Sequence, residues 1–205
     1  MLEIKEFAVP FFGFDWPDHD QHQTRLKEIC HILEEKKSSS GVAPDAKTVY
    51  ESDFNFLNLD DPSVQALAGF MNKCIWESAS KANEGRWPAG AKVGVKIHES
   101  WCHITRNGEY HDRHNHGNSS WSAIYYLDVG DSDNDNKNGL TRFYNDCTSS
   151  YNDLGTRWNS NVASIDIKNK NGLVLVFPSF IWHSQPPYTG EKNRYVIFPI
   201  QHEPF

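Results

Sequence analysis

Residues 114–129 read HNHGNSSWSAIYYLDV, a histidine pair followed by an apolar run. Trp121 to Val129 has strand-forming character. On a strand, residues two apart point to one face, so His114 and His116 are placed to aim both imidazoles at one point. The same β signature recurs downstream at Leu140–Asn145, Val162–Ile167, Gly172–Pro178 and Arg194–Ile200, and upstream where Val93, Val95 and Ile97 alternate with polar or small residues. Many short strands joined by Asn- and Gly-containing loops predict a mainly β fold, a sandwich or jelly roll. Nearer the N-terminus, Leu2 to Phe14 reads as a strand bent at Pro10. A helix opens at Asp18, carries Leu26, Ile29, Cys30 and Leu33 at helical spacing, and ends in KKSSSG. A second helix has Asp61 as cap, Pro62 in its first turn, and a stripe of Val64, Leu67, Ala68, Met71, Cys74 and Ile75. These helices are expected to cover one face of the β structure. The whole of 1–205 then reads as one domain, with a core at about 91–201 and helical support over 1–90.

The chain has 205 residues, a size suited to one domain with a real core. Its 13% aromatic content argues against disorder, and its formal charge of −7 argues against a phosphate-tracking nucleic-acid binder. No stretch approaches the roughly 20 apolar residues of a membrane span. The N-terminus lacks the basic start of a secretory signal, and Cys30, Cys74, Cys102 and Cys147 form no CxxC pair. Reduced thiols and a cytoplasmic location are expected. The loop DSDNDNKNG resembles a calcium loop, but Asn136 and Arg142 stand where Gly and Glu are required, so it reads as a solvated connection.

Three histidines crowd into His111-Asp-Arg-His114-Asn-His116. A metal needs a third ligand from elsewhere, and His183, just past the buried run GLVLVF, is the candidate. Such a set leaves positions open for water, substrate and oxygen. Asp112 also shares a face with His114 on a regular strand, so a ligand set containing Asp112 or His111 stays open. Arg194 begins an apolar strand in phase with Val196 and Phe198. An inward arginine is costly unless an acceptor meets it. That acceptor is either a carboxylate of the protein or one belonging to a substrate or cosubstrate.

HNHGNSSWSAIYYLD, GLTRFYND, GLVLVFPSFIWHSQP and NRYVIF together resemble the Fe(II)/2-oxoglutarate-dependent dioxygenases, on the prolyl-4-hydroxylase-like branch. The resemblance runs from Glu99 to Pro199 and is nearest to small oxygenases of bacteria and phages that carry HxH at this place. It implies a double-stranded β-helix, with His114, His116 and His183 binding Fe(II), Tyr126 hydrogen-bonding 2-oxoglutarate, and Arg194 pairing with its distal carboxylate. The implied activity is hydroxylation with release of succinate and CO2, using O2 and supported by ascorbate. His116 replaces the family's usual carboxylate, and Val196 stands where a hydroxyl residue is common.

A cupin is the alternative, since Gly108, the HxH pair, Gly172, Pro178 and His183 match its spacing. The cupin glutamate is missing, however, and Pro187 stands in place of its final asparagine. A metal-binding module that uses the same histidines without 2-oxoglutarate is a third reading. The sequence does not name the substrate; protein, peptide and small molecule all fit. Trp87, Trp101, Trp121, Trp158, Tyr144 and Tyr151 are candidate pocket aromatics, and residues 147–160 a candidate lid.

Overall fold

A computed structural model of the chain describes residues 9–39, 49–145 and 163–201. In order, it runs through β1 (Phe12–Asp15), α1 (His19–Ser39), β2 (Tyr50–Glu51), a short 3-10 turn (Phe56–Asn58) and α2 (Pro62–Ala82). There follow β3 (Ile97–Thr105), β4 (His111–His114), β5 (Trp121–Asp128), β6 (Thr141–Tyr144), β7 (Ser164–Ile167), β8 (Leu173–Pro178), β9 (His183–Gln185) and β10 (Arg194–Gln201). They form a six-stranded sheet, β1-β8-β5-β10-β3-β2, and a four-stranded sheet, β4-β9-β6-β7. Every pairing between these strands is antiparallel. This is the expected jelly roll, the double-stranded β-helix.

The pleat of the large sheet divides its side chains between two cores. Ala123, Tyr125 and Leu127 of β5, Val174 and Val176 of β8, and Tyr195 and Ile197 of β10 face α1 and α2, where they meet Leu26, Ile29, Val64, Leu67, Met71 and Ile75. The intervening residues Ile124, Tyr126, Leu175, Phe177 and Val196 face the small sheet and meet Phe143. The second helix begins as its sequence predicts: the Asp61 side chain accepts from the Ser63 N–H, and Pro62 occupies the first turn. Asp61 also takes Arg25 of α1 at 2.9 Å, which joins the two helices.

Several boundaries differ from the sequence reading. Val93 and Val95 precede the ladder, because β3 begins at Ile97, opposite Gln201 of β10. The first strand spans only Phe12–Asp15, and the earlier part of its predicted range, residues 2–8, lies outside the described residues. The four-residue β4 had no strand signature of its own. It forms because the chain reverses after β3 at Gly108, whose φ of +83° suits glycine, and its N–H then meets the Tyr188 carbonyl at 2.7 Å. That turn carries the chain from the large sheet to the small one. In the DSDNDNKNG loop, the Asp133 carboxylate accepts from the Asp135 and Asn136 backbone, as a solvated turn would. Cys30, Cys74 and Cys102 are buried free thiols; Cys147 lies outside the described residues. Among the described residues, no helix is long and apolar enough to cross a membrane.

Candidate metal centre

The small sheet brings the histidines together. In the β4–β9 pairing His114 stands opposite His183, and in β6–β9 Phe143 stands opposite His183. His114, His116 and His183 each offer one nitrogen, and these lie within 4.8 Å of one another. Ring centroids are 4.2 Å apart for His114 and His183, 5.1 Å for His114 and His116, and 5.2 Å for His116 and His183.

His114 and His116 converge by a different route from strand alternation. β4 ends at His114. His116 lies in the following loop, held by its N–H to the Ser179 carbonyl at 3.0 Å. The pairing register also shifts between His111 and His114, so Asp112 does not share the face of His114 as a regular strand would require. Asp112 is exposed, and its carboxylate is in neither cluster of metal-ligand type found among the described residues. Its backbone carbonyl instead accepts from His114 Nδ1 at 2.8 Å.

Tautomers follow from these partners. A carbonyl oxygen only accepts, so Nδ1 of His114 carries the proton and Nε2 keeps its lone pair. His183 repeats the device, with Nδ1 donating to the Ile181 carbonyl at 3.0 Å. Its Nε2 is buried with no hydrogen-bond partner among the described residues, which leaves an aimed and unused lone pair. Burial lowers the pKa of all three rings: His183 well below the usual imidazole value, His116 to about 4, and His114 by a smaller step. The neighbouring imidazoles push in the same direction for each. These rings are neutral at pH 7, as metal ligation requires.

Arg194 lies deeper, 1% exposed, on the face it shares with Val196. Burial lowers its pKa to about 10. It remains a cation at pH 7, and it makes no ion pair among the described residues. Its guanidinium sits 5.6 Å from the centroid of the Tyr126 ring and donates through Nη1 to Gln185 Oε1. Two buried donors beside this contact lack any acceptor among the described residues, Arg194 Nε and Gln185 Nε2. Thr105 also donates to Gln185 Oε1, at 3.3 Å. A charged donor with a spare N–H, next to an amide with a spare N–H, fits an anionic acceptor such as a carboxylate. Tyr126 is fully buried, and its hydroxyl donates to Thr141 Oγ1 at 2.8 Å. Gln185 escaped the sequence reading, although its place two residues after His183 puts it on the same face of β9.

The predicted aromatics scatter. Trp101 packs edge-on to His116 at 5.6 Å. Trp121 belongs to the helix-side core, Trp87 stacks on Trp76, and the Tyr144 ring lies under Arg113. Trp158, Tyr151 and the 147–160 stretch lie outside the described residues. A second cluster, Glu51, His103 and His111, also brings its ligand atoms within 4.8 Å of one another.

Residues 99–198 match the family model described as "Putative 2OG-Fe(II) oxygenase". No curated protein sequence matches the chain. Among solved structures, a Pseudomonas putida prolyl-4-hydroxylase aligns at 13% identity over 95% of this chain and 94% of its own, with a TM-score of 0.52. A Trichoplax adhaerens prolyl hydroxylase, solved with a hypoxia-inducible-factor peptide fragment, aligns at 12% over 94% and 83%, with a TM-score of 0.58. AviO1 from Streptomyces viridochromogenes aligns at 15% over 96% and 90%, with a TM-score of 0.61. At these identities the structural likeness is one of fold.

Proposed function

We propose that the chain is a 2-oxoglutarate-dependent Fe(II) oxygenase on the prolyl-4-hydroxylase-like branch, and that it hydroxylates a C–H bond of its substrate from a three-histidine iron site. His114, His116 and His183 would hold the iron. Arg194 and Gln185 would hold the distal carboxylate of 2-oxoglutarate. Tyr126, expected from the resemblance to hydrogen-bond the cosubstrate, would instead support the guanidinium with its ring, its hydroxyl being given to Thr141. When bound, iron and 2-oxoglutarate supply the oxidising chemistry, with O2 consumed and succinate and CO2 released. The active domain is taken as residues 1–205, its catalytic core at about 91–201.

The single observation that carries this reading is the pair of unmatched buried donors, Arg194 Nε and Gln185 Nε2, in the same inter-sheet interior as the unmatched lone pair of His183 Nε2. A buried arginine with no carboxylate partner is costly, and an incoming dicarboxylate removes that cost. A cupin or a plain metal-binding module has no use for it.

The chain's own residues do three things here. The Ile181 and Asp112 carbonyls fix the protons on Nδ1 of His183 and His114, which turns their lone pairs toward a common point. Tyr126, Val196 and Phe177 surround the interior with apolar surface and strengthen the field of Arg194. Three neutral imidazoles add no negative charge, so a ferrous site here keeps its full +2 toward an anionic cosubstrate.

The test is anaerobic Fe(II) titration followed by 2-oxoglutarate. A visible charge-transfer band is expected in the wild type, absent in His183→Ala, and requiring about 10- to 100-fold more 2-oxoglutarate in Arg194→Met. Iron binding with no such band in the wild type would leave the module reading in its place. Succinate release with ascorbate present, first without and then with candidate proteins, peptides and small molecules, identifies the substrate class.

A further inference from the structure

The second cluster shares no residue with the three-histidine centre but adjoins it. Glu51 comes from β2, His103 from β3 and His111 from β4, so two members belong to the large sheet and one to the small sheet. Glu51 Oε2 lies 2.8 Å from His103 Nε2. The His111 ring lies against that of His103, with centroids 5.1 Å apart and planes 23° from parallel. His111 also packs on His114, at 4.2 Å between centroids.

The 2.8 Å contact admits two readings. It is a good hydrogen bond, and it is also close to one edge of a coordination shell. Two ligand atoms each about 2.1 Å from an ion, at a right angle, stand about 3 Å apart. What separates the readings is His111, whose Nδ1 donates to the Asp112 carbonyl at 3.3 Å and whose Nε2 therefore keeps its lone pair. A proton placed on His103 Nε2 serves Glu51 and His103 but leaves His111 a bystander. The Trp101 indole N–H, 3.0 Å from that nitrogen, finds no free lone pair there under either reading. A divalent cation serves all three clustered groups at once.

The charge states suit a cation. Burial opposes ionisation of Glu51, but the hydrogen bond to His103 and the fields of His103 and His111 outweigh it and hold the carboxyl below its ordinary value. Burial, foremost, pushes His103 down to about 4, so it meets a metal as the neutral ring. The donor set is two imidazoles and one carboxylate, the set that nitrogen- and oxygen-preferring first-row ions accept. It is one unit more negative than the three-histidine site.

We propose that Glu51, His103 and His111 form a second binding site for a divalent first-row transition metal, which joins the large and small sheets beside the three-histidine centre. The bound ion ties β2 and β3 to β4 and so fixes His111, the neighbour against which His114 packs.

Chelator-stripped full-length protein is dialysed against Co(II), and metal per chain is measured by elemental analysis. Wild type is expected to hold two equivalents, Glu51→Gln and His111→Ala one each, and His114→Ala/His183→Ala one. Adding Glu51→Gln to that double variant should leave none. In the double variant, Co(II) should also raise the melting temperature, and Glu51→Gln should cancel the rise. Glu51 is part-exposed and its change to Gln nearly isosteric, so loss of metal without loss of the native circular-dichroism spectrum reads as loss of a ligand. A His114→Ala/His183→Ala variant that holds no metal, or a Glu51→Gln variant that holds as much as the wild type, overturns the proposal. The oxygenase reading is judged separately, by the 2-oxoglutarate-dependent band.

Discussion

The two faces of the large sheet carry opposite kinds of interior. Toward the helices, Leu67, Met71, Ile75, Tyr125, Val176 and Ile197 pack into an almost wholly apolar layer. Toward the small sheet, a smaller apolar cluster shares its space with Arg194, Gln185 and the histidines, and there the unmatched polar atoms His183 Nε2, Gln185 Nε2 and Arg194 Nε are found. The same strands supply both faces, through side chains one residue apart. The helix-side layer supplies the stability, and the inter-sheet layer spends part of it on groups that water would otherwise solvate.

The largest effect that separates the two faces is expected from Leu67→Ala. Leu67 is fully buried against the sheet, and its truncation leaves a cavity. A loss of about 2–5 kcal/mol in urea unfolding is expected. Iron binding measured below the transition should be unchanged. If the variant lost iron while still folded, the division of labour between the faces would be wrong.

Acid comes next, because it acts mainly on the inter-sheet side. In metal-free protein, burial holds His116 and His103 at about 4 and His183 well below its usual value, whereas unfolded imidazoles take up protons near 6.5. Between these values the unfolded chain binds more protons. Stability is therefore intact above pH 6.5 and is lost as pH falls toward 4. His103 alone accounts for roughly 3 kcal/mol across that window. The helix side contributes through His19, which burial also lowers while its Nδ1 is held at 2.7 Å by the Tyr125 hydroxyl. Chelator-treated protein melted at pH 7, 6 and 5 should show a steady fall, and a flat profile would contradict buried neutral rings. A Leu67→Ala background should shift the whole curve down without changing its slope.

Arg194→Met sharpens the comparison from the other side. The substitution removes a buried cation that has no acid partner among the described residues and keeps an apolar stem of similar length. Unfolding stability should stay level or rise, whereas the 2-oxoglutarate requirement should rise about 10- to 100-fold. If Arg194→Met instead unfolded the protein as Leu67→Ala does, Arg194 would be part of the scaffold and its claim as a cosubstrate anchor would fail.

How much of this the sequence disclosed follows from the range of each interaction. The runs at residues 121–129, 172–178 and 194–200 were legible because a strand buried on both faces is a continuous stretch of apolar, strand-forming residues. The alternation at Val93, Val95 and Ile97, by contrast, reached the ladder only at Ile97. The α2 start was legible because Asp61 and Pro62 act within one turn. His114, His116, His183 and Arg194 were legible as candidates because imidazole pairs and inward arginines are rare in such runs. The route by which His116 reaches the cluster was not, because it depends on a register shift in β4 and on the Ser179 carbonyl. Asp112 looked available as a ligand only under regular strand alternation. Gln185 was missed because a glutamine in a strand carries no chemistry of its own until Arg194, on the next strand, is seen to use its oxygen, and Glu51 because its partners His103 and His111 lie far along the chain.

The smallest effect concerns the helix side alone. Asp61 caps α2 through the Ser63 N–H at 2.9 Å and also receives Arg25 of α1. Neither contact approaches the inter-sheet space. The cap is the stronger part, since the Arg25 pair is exposed and worth little in water. Asp61→Ala should cost about 1 kcal/mol of unfolding free energy, and Asp61→Asn much less, because the amide oxygen can still accept from the helix start. Both variants should bind Fe(II) and 2-oxoglutarate as wild type does. Their value lies in that contrast. A change in cosubstrate affinity from a helix cap would show that the layer behind the sheet is coupled to the site in front of it, and that Tyr125 and Tyr126, adjacent in β5 and facing opposite ways, transmit strain between the two interiors.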